Sequence, residues 1–132
     1  MIKYAKWFGI ALTAAAVGAA FAQFPPALKI MKSRVIANSN IVFSVRKTAP
    51  KIDAEWVAVQ QAAQNMVKVS HELMPLGPDS GREAWVQFTQ ELGAASGKAA
   101  DAAKARNVKG VLDAGDAMFA VCEACHNRYM KK

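Results

Sequence analysis

Cysteine occurs only twice in the 132 residues, and both copies fall in one five-residue run near the C-terminus, Cys122-Glu123-Ala124-Cys125-His126. That pattern limits how such a chain can be held together. Export makes a disulfide possible, yet a bridge closing two intervening residues staples no fold, so the framework must come from packing. The spacing also carries chemistry. On a helix, residues three and four apart are neighbours, so Cys122 shares a face with Cys125 and His126. Two thiols on one side can bond to the two vinyl groups of one porphyrin edge, and the imidazole after Cys125 then points at the iron. Cys-x-x-Cys-His reads as a covalent c-type haem attachment site.

Three other readings of the run compete. A thioredoxin-like Cys-x-x-Cys belongs in a βαβ context, near a helix start. A structural zinc site wants four ligands, and His71 is the only further residue among the better ligands. Chance occurrence is the blandest reading. Helical context, an export signal and the lack of other cysteines favour haem attachment over all three.

Residues 1–22 read as a secretory leader. Lys3 and Lys6 stand near the start without an acid, residues 7–20 are small or apolar, and Ala20-Phe21-Ala22 fits the small-x-small cleavage pattern. A transmembrane span needs roughly 20 apolar residues, so a cleaved leader is expected rather than stable membrane insertion. Cleavage after Ala22 leaves residues 23–132 as one small domain, exported to a periplasm. Removing Lys3 and Lys6 from the 17 basic residues leaves 15 against 10 acidic, a net charge of +5. The basic residues are dispersed and lack interleaved aromatics, so no nucleic-acid partner is expected. A positive surface can instead steer an acidic partner protein.

The rest of the chain divides into four segments of helical periodicity. The first covers residues 26–45, opening on Pro26, with Leu28, Met31, Val35, Asn38, Val42 and Val45 on one face. Thr48-Ala49-Pro50 breaks it. The second covers residues 53–74, with Asp53 as N-cap and Trp56, Val59, Ala63, Met66, Val67 and Leu73 as its stripe. Pro75-Leu76-Gly77-Pro78 forbids continuation. The third opens on Ser80-Gly81-Arg82-Glu83, a capping-box pattern, and lines up Trp85, Phe88, Leu92, Ala95 and Ala99. The fourth covers residues 108–130 behind Asn107. Val111, Leu112, Gly115, Met118, Phe119, Cys122, Cys125, His126 and Tyr129 share its inner face. No strand is evident. Four helices with short connections imply an all-α fold, an antiparallel four-helix bundle with covalently attached haem.

Cys122-Glu-Ala-Cys125-His126-Asn-Arg-Tyr129 at the end of a four-helix chain resembles the class II c-type cytochromes, the cytochrome c-prime proteins and their low-spin relatives. The resemblance covers the whole mature chain in layout and is specific in the haem motif, the Trp85 helix and the first helix. Class I cytochromes c carry this motif near the N-terminus instead. The resemblance implies thioethers at Cys122 and Cys125, His126 as proximal iron ligand, and Tyr129 as the aromatic that follows it. The family commonly places an arginine directly after that aromatic. This chain has Met130 there and Arg128 two places earlier. The resemblance also allows a homodimer through the first two helices.

The sixth iron position separates two functions. From the residues alone Met31, Met66, Met74 and Met118 are equally available, and any of them serves as a core gap-filler. The family layout singles out Met31, because the low-spin relatives use a methionine on the first helix. Methionine with histidine raises the reduction potential and suits electron transfer. If Met31 is unbound, Val35 is the apolar residue expected over an open iron, as in cytochrome c-prime proteins. His71 in a bis-histidine site is the weaker choice, since a solvent-facing histidine near a helix end is ordinary. Arg34, Lys32 and Lys29 are candidates to meet a haem propionate, or simply form a solvated face. Trp56, Trp85, Phe88 and Phe119 read as core and haem wall. Asp113, Asp116 and Glu123 form no acid/base pair, and no nucleophile constellation is evident.

The sequence therefore leads to an exported mono-haem carrier of single electrons, not an enzyme, with a redox protein as partner. The alternative is a five-coordinate protein that binds nitric oxide or carbon monoxide. A peroxidase-like use of an open iron lacks a distal acid/base residue.

Overall fold

The computed structural model of the chain describes residues 24–130. The leader expected over residues 1–22 lies outside them. Among the described residues the chain is all-helical, with four helices and no strand.

The first helix, α1, spans residues 25–44 in three parts: α-helical Pro25–Ile30, a π-helical turn Met31–Val35, and α-helical Ile36–Ser44. Pro25 and Pro26 occupy its first turn, where a missing N–H costs nothing. The π turn departs from the uniform periodicity expected. It inserts one residue into the winding, so everything before it rotates by about 100° relative to the rest. Ala27 is therefore buried and Leu28 is 42% exposed, the reverse of the expected face.

Helix α2, Asp53–Leu73, starts one residue earlier than its expected cap implies. Ile52 holds the extended cap conformation and Asp53 is the first helical residue. Glu55 turns back and accepts from the backbone N–H of Lys51 at 2.6 Å and of Ile52 at 3.4 Å. Asp53 instead lends negative charge to the first turn and pairs with Arg106 at 2.6 Å. A short 3₁₀ turn, Met74–Leu76, ends the element where Pro75 removes a donor.

Helix α3 is Arg82–Lys104. The expected Ser80–Glu83 capping box does not form. Gly81 is the N-cap, at φ 79°, a left-handed conformation that glycine adopts without a Cβ penalty. Ser80 is thereby left one position too early. At the far end Arg106 is also left-handed, at φ 54°. The Asn107 N–H reaches back to the Ala102 carbonyl at 2.8 Å, and the Arg106 N–H to Ala103 at 3.0 Å, which is the Schellman closure. Helix α4, Val108–Tyr129, follows at once, and the Asn107 side chain accepts from the Gly110 N–H at 2.9 Å as expected of a cap.

Each helix runs antiparallel to the next. Asn65 donates to Asn38 at 3.1 Å between α2 and α1. The Trp85 indole donates to the Leu73 carbonyl at 2.7 Å between α3 and α2. The Tyr129 hydroxyl donates to the Gly81 carbonyl at 2.5 Å between α4 and the start of α3. Phe24 lies 6.5 Å from Tyr129, and Phe43 6.1 Å from Phe119, closing the circle from α1 to α4. Partners run in opposite order along each pair: Arg34 meets Glu72 while the later Asn38 meets the earlier Asn65, and Phe24 meets Tyr129 while the later Phe43 meets the earlier Phe119.

Packing around the circle is uneven. Between α2 and α3, small buried residues such as Ala63, Ser70, Gly93 and Ala99 let the backbones approach. A methyl added at Gly93 would lie 2.6 Å from the Ser70 hydroxyl. The seam between α1 and α4 is sparsely packed by contrast. Met66, Leu73, Met118, Val42 and Val111 fill the middle and are almost wholly buried, each removing apolar area worth about 1.5–3 kcal/mol. Other stripe residues sit differently from expectation. Val67 and Phe88 are half-buried, Val69 and Thr89 lie inside, and Phe119 is 58% exposed while Ala114 is buried. No helix among the described residues is long and apolar enough to cross a membrane.

Candidate haem-attachment site

The last three turns of α4 carry Cys122, Cys125 and His126, and the π turn of α1 carries Met31 and Val35. All five line one small cavity of about 50 Å³ in the α1–α4 seam. Leu73 of α2 and Trp85, Phe88, Thr89 and Leu92 of α3 form its back wall. The walls are apolar except at Thr89, whose hydroxyl already donates to the Val86 carbonyl at 2.9 Å. The four residues singled out in the sequence, separated by more than 90 positions, thus meet at one place.

Other candidates are not brought there. Met66 and Met118 are buried in the core and do not line the cavity, and Met74 lies half-buried in the 3₁₀ turn. His71 is exposed on α2, away from the cavity. Arg34 is engaged in a two-pronged contact with the Glu72 carboxylate, at 2.8 Å for one prong. The pairing holds the Glu72 carboxyl below its ordinary range and the Arg34 guanidinium above its own, through the hydrogen bond first and charge second. An arginine committed in this way is not the free propionate partner expected.

The cysteines do not resemble activated redox thiols. Burial pushes Cys122 up, and burial with the neighbouring Cys122 pushes Cys125 up to about 11. Nucleophilic Cys-x-x-Cys pairs show the opposite shift, aided by a helix N-terminus or nearby positive charge. Here the pair sits at a helix C-terminal end. Among the described residues no group of three or more His, Cys, Asp and Glu side chains is arranged to hold a metal ion. The zinc reading, which needs such a closed set of protein ligands, therefore finds no site.

An aromatic cluster closes the end of the cavity. Tyr129 lies edge-on to Trp85 at 5.2 Å and to Phe88 at 6.4 Å, and Phe24 packs on Trp85 at 5.9 Å. Arg128, two places from where the family keeps its arginine, lies 5.8 Å over the Tyr129 ring. Sequence reasoning missed Phe24, Val121 and Thr89. Phe24 stands at the N-cap of a proline-led helix, where an aromatic side chain carries no capping signal. The other two carry no local signal either.

Comparison with protein-family models, with characterised proteins and with solved structures finds no match to the chain.

The residues at the cavity fit a haem in chemistry. Two thiols, an imidazole and a thioether border an apolar space, and covalent haem can use all four groups. A space of 50 Å³ is far below the roughly 300–1,000 Å³ of ordinary ligand pockets, so a porphyrin requires α1 to stand further from α4. That seam is the sparsely packed one.

Proposed function

We propose that the chain is an exported class II c-type cytochrome, an antiparallel four-helix bundle that carries single electrons on one covalently attached haem. The observation that carries this reading is the convergence of Met31 with Cys122, Cys125 and His126 on one apolar cavity. When bound, haem would supply a one-electron Fe(III)/Fe(II) couple. Cys122 and Cys125 would hold it by thioethers from one edge. His126 would ligate from α4 and Met31 from α1, a His/Met pair of the kind that raises the potential. Leu73, Trp85, Phe88 and Leu92 would exclude water from the iron's surroundings, which also tunes the potential. Cleavage after Ala22 would deliver the domain to a periplasm, where its net positive charge would steer an acidic redox partner.

A second reading keeps the same haem but leaves the sixth position open for nitric oxide or carbon monoxide. Val35 favours it, because it is 8% exposed and lines the same cavity from the same turn as the half-buried Met31.

The absorption spectrum of the purified protein separates the two. A low-spin ferric spectrum that Met31→Ala turns high-spin is the expected result. A high-spin wild-type spectrum that responds to nitric oxide establishes the second reading instead. The attachment itself is tested by the Cys122→Ala, Cys125→Ala pair, from which acidic solvent should extract any haem. Haem retained covalently in that double variant would overturn both readings.

A further inference from the structure

A second and larger cavity, about 300 Å³, opens in the α1–α4 seam toward the C-terminal end of α1. It lies roughly 18 Å along α1 from Met31, counted from Met31 to Phe43 at 1.5 Å per residue. Along α4 its Phe119 lies about 10 Å from His126 at 1.5 Å per residue, so the two cavities sit at different levels of the seam. Val42 and Val111 form its floor and are 1% and 0% exposed. Phe43 and Phe119 wall it with their rings nearly perpendicular. Arg46 of α1 and Asp116 of α4 form an ion pair at its mouth, across the seam.

We infer that this cavity binds an uncharged two-ring aromatic alcohol. The size sets the body of the ligand. An apolar cavity of 150 Å³ takes one benzene ring, and this one has about twice that volume. The walls set its character. Phe119 is 58% exposed, the largest exposed apolar side chain on the described part of α4, and a flat ring entering beside it would meet edge and face together. The rim sets the head group. An anion would gain Arg46 and face Asp116, and a cation would do the reverse. A neutral hydroxyl suits both at once, its O–H donating to the Asp116 carboxylate and its oxygen accepting from the Arg46 guanidinium. Charge-assisted bonds of this kind are the stronger ones.

Gly115 supplies the means of testing the site. A Cβ there would meet only the Phe43 ring, at 3.7 Å, an ordinary contact. Gly115→Leu should therefore fill the cavity without displacing the backbone. The experiment is a calorimetric titration of the full-length purified protein with 2-naphthol, alongside naphthalene and 2-naphthoate. One saturable site for 2-naphthol is expected, weakened at least about tenfold by Gly115→Leu. Arg46→Met changes an exposed side chain and removes one of the hydroxyl's two partners, so it should reduce the preference for 2-naphthol over naphthalene while keeping both bound. No saturable binding by the wild type overturns the inference, as does binding that Gly115→Leu leaves unchanged in a variant whose helicity is intact. Should Gly115→Leu not fold, Arg46→Met decides, and an unaltered preference overturns the inference. Tighter binding of 2-naphthoate than of 2-naphthol overturns the neutral head group. A failed titration leaves the haem reading standing, because the absorption spectrum and the cysteine variants test that reading separately.

Discussion

The Tyr129 hydroxyl donates to the Gly81 carbonyl at 2.5 Å, joining the end of α4 to the turn that starts α3, 48 positions earlier. The bond holds the helical turn that bears His126, because Tyr129 lies three residues, about one turn, beyond it. Tyr129→Phe removes the donor and keeps the ring against Trp85 and Phe88. The Gly81 carbonyl still accepts from the Trp85 N–H at 3.2 Å, so no buried acceptor is stranded. The expected loss is about 1 kcal/mol, read as a fall of about 4–8 °C in Tm by circular dichroism. Tyr129→Ala should lose about 3 kcal/mol by removing the ring as well. Equal stability of Tyr129→Phe and wild type would show the bond to contribute nothing.

Gly93 and Ser70 mark the closest approach of α2 and α3. A methyl at Gly93 would come within 2.6 Å of the Ser70 hydroxyl oxygen but 3.5 Å from its Cβ. Gly93→Ala should therefore destabilise by about 1–3 kcal/mol despite the better helix propensity of alanine. Ser70→Ala removes the clashing atom, and its hydroxyl bond to the Val67 carbonyl is local. The double variant should regain most of the loss. Additive losses in the denaturant-unfolding cycle would contradict the clash.

Arg34 sits in the π turn and Glu72 near the end of α2, so their pair ties the methionine-bearing turn to the neighbouring helix. The Glu72 carboxyl is held below its ordinary value by Arg34. A depressed carboxyl adds stability above the unfolded pKa and loses it as pH falls through the folded one. Wild type and Glu72→Gln should thus differ most near neutrality and converge below the depressed value. Both side chains are 44% exposed, so added salt should shrink the difference. A gap between the two that is unchanged from neutral pH to strong acid would refute the pairing.

Much of this organisation is written in local chemistry. Pro50, the Pro75-Leu76-Gly77-Pro78 run and Asn107 punctuate the helices because proline lacks a donor and asparagine supplies a cap. The Cys122, Cys125 and His126 grouping is legible because one helix places them together. What was not legible depends on neighbours. Phe119 has core spacing, but spacing does not say how far α1 stands from α4. Ser80 and Gly81 both suit a helix start, and the left-handed turn selects the glycine. Arg34 gave no sign of Glu72, 38 positions away. Met31 reaches the cysteines only through the packing of α1 against the rest.

The π turn itself has no signature, since Met31-Lys32-Ser33-Arg34-Val35 contains neither glycine nor proline. Its effect is measurable because one inserted residue exchanges neighbours on the buried face. From Val35, a uniform α-helix places the next inward positions at Met31 and Leu28, about 3.6 residues per turn. The wide turn places Ala27 there instead, at 3% exposure against 42% for Leu28. Single cysteines introduced at these positions, in a Cys122→Ser, Cys125→Ser background, give opposite expectations for the two windings. With the π turn, Leu28→Cys should react with a maleimide at close to the rate of an unfolded thiol, and Ala27→Cys should be slowed at least about tenfold by burial. A straight helix would reverse the order. Deleting Ser33 removes the extra residue of the turn and leaves Ala27 two α-helical turns from Val35, so the order should be kept, with Ala27 still inward and Leu28 outward. Faster labelling at Ala27→Cys than at Leu28→Cys in the undeleted chain would mean that α1 is wound as a uniform α-helix.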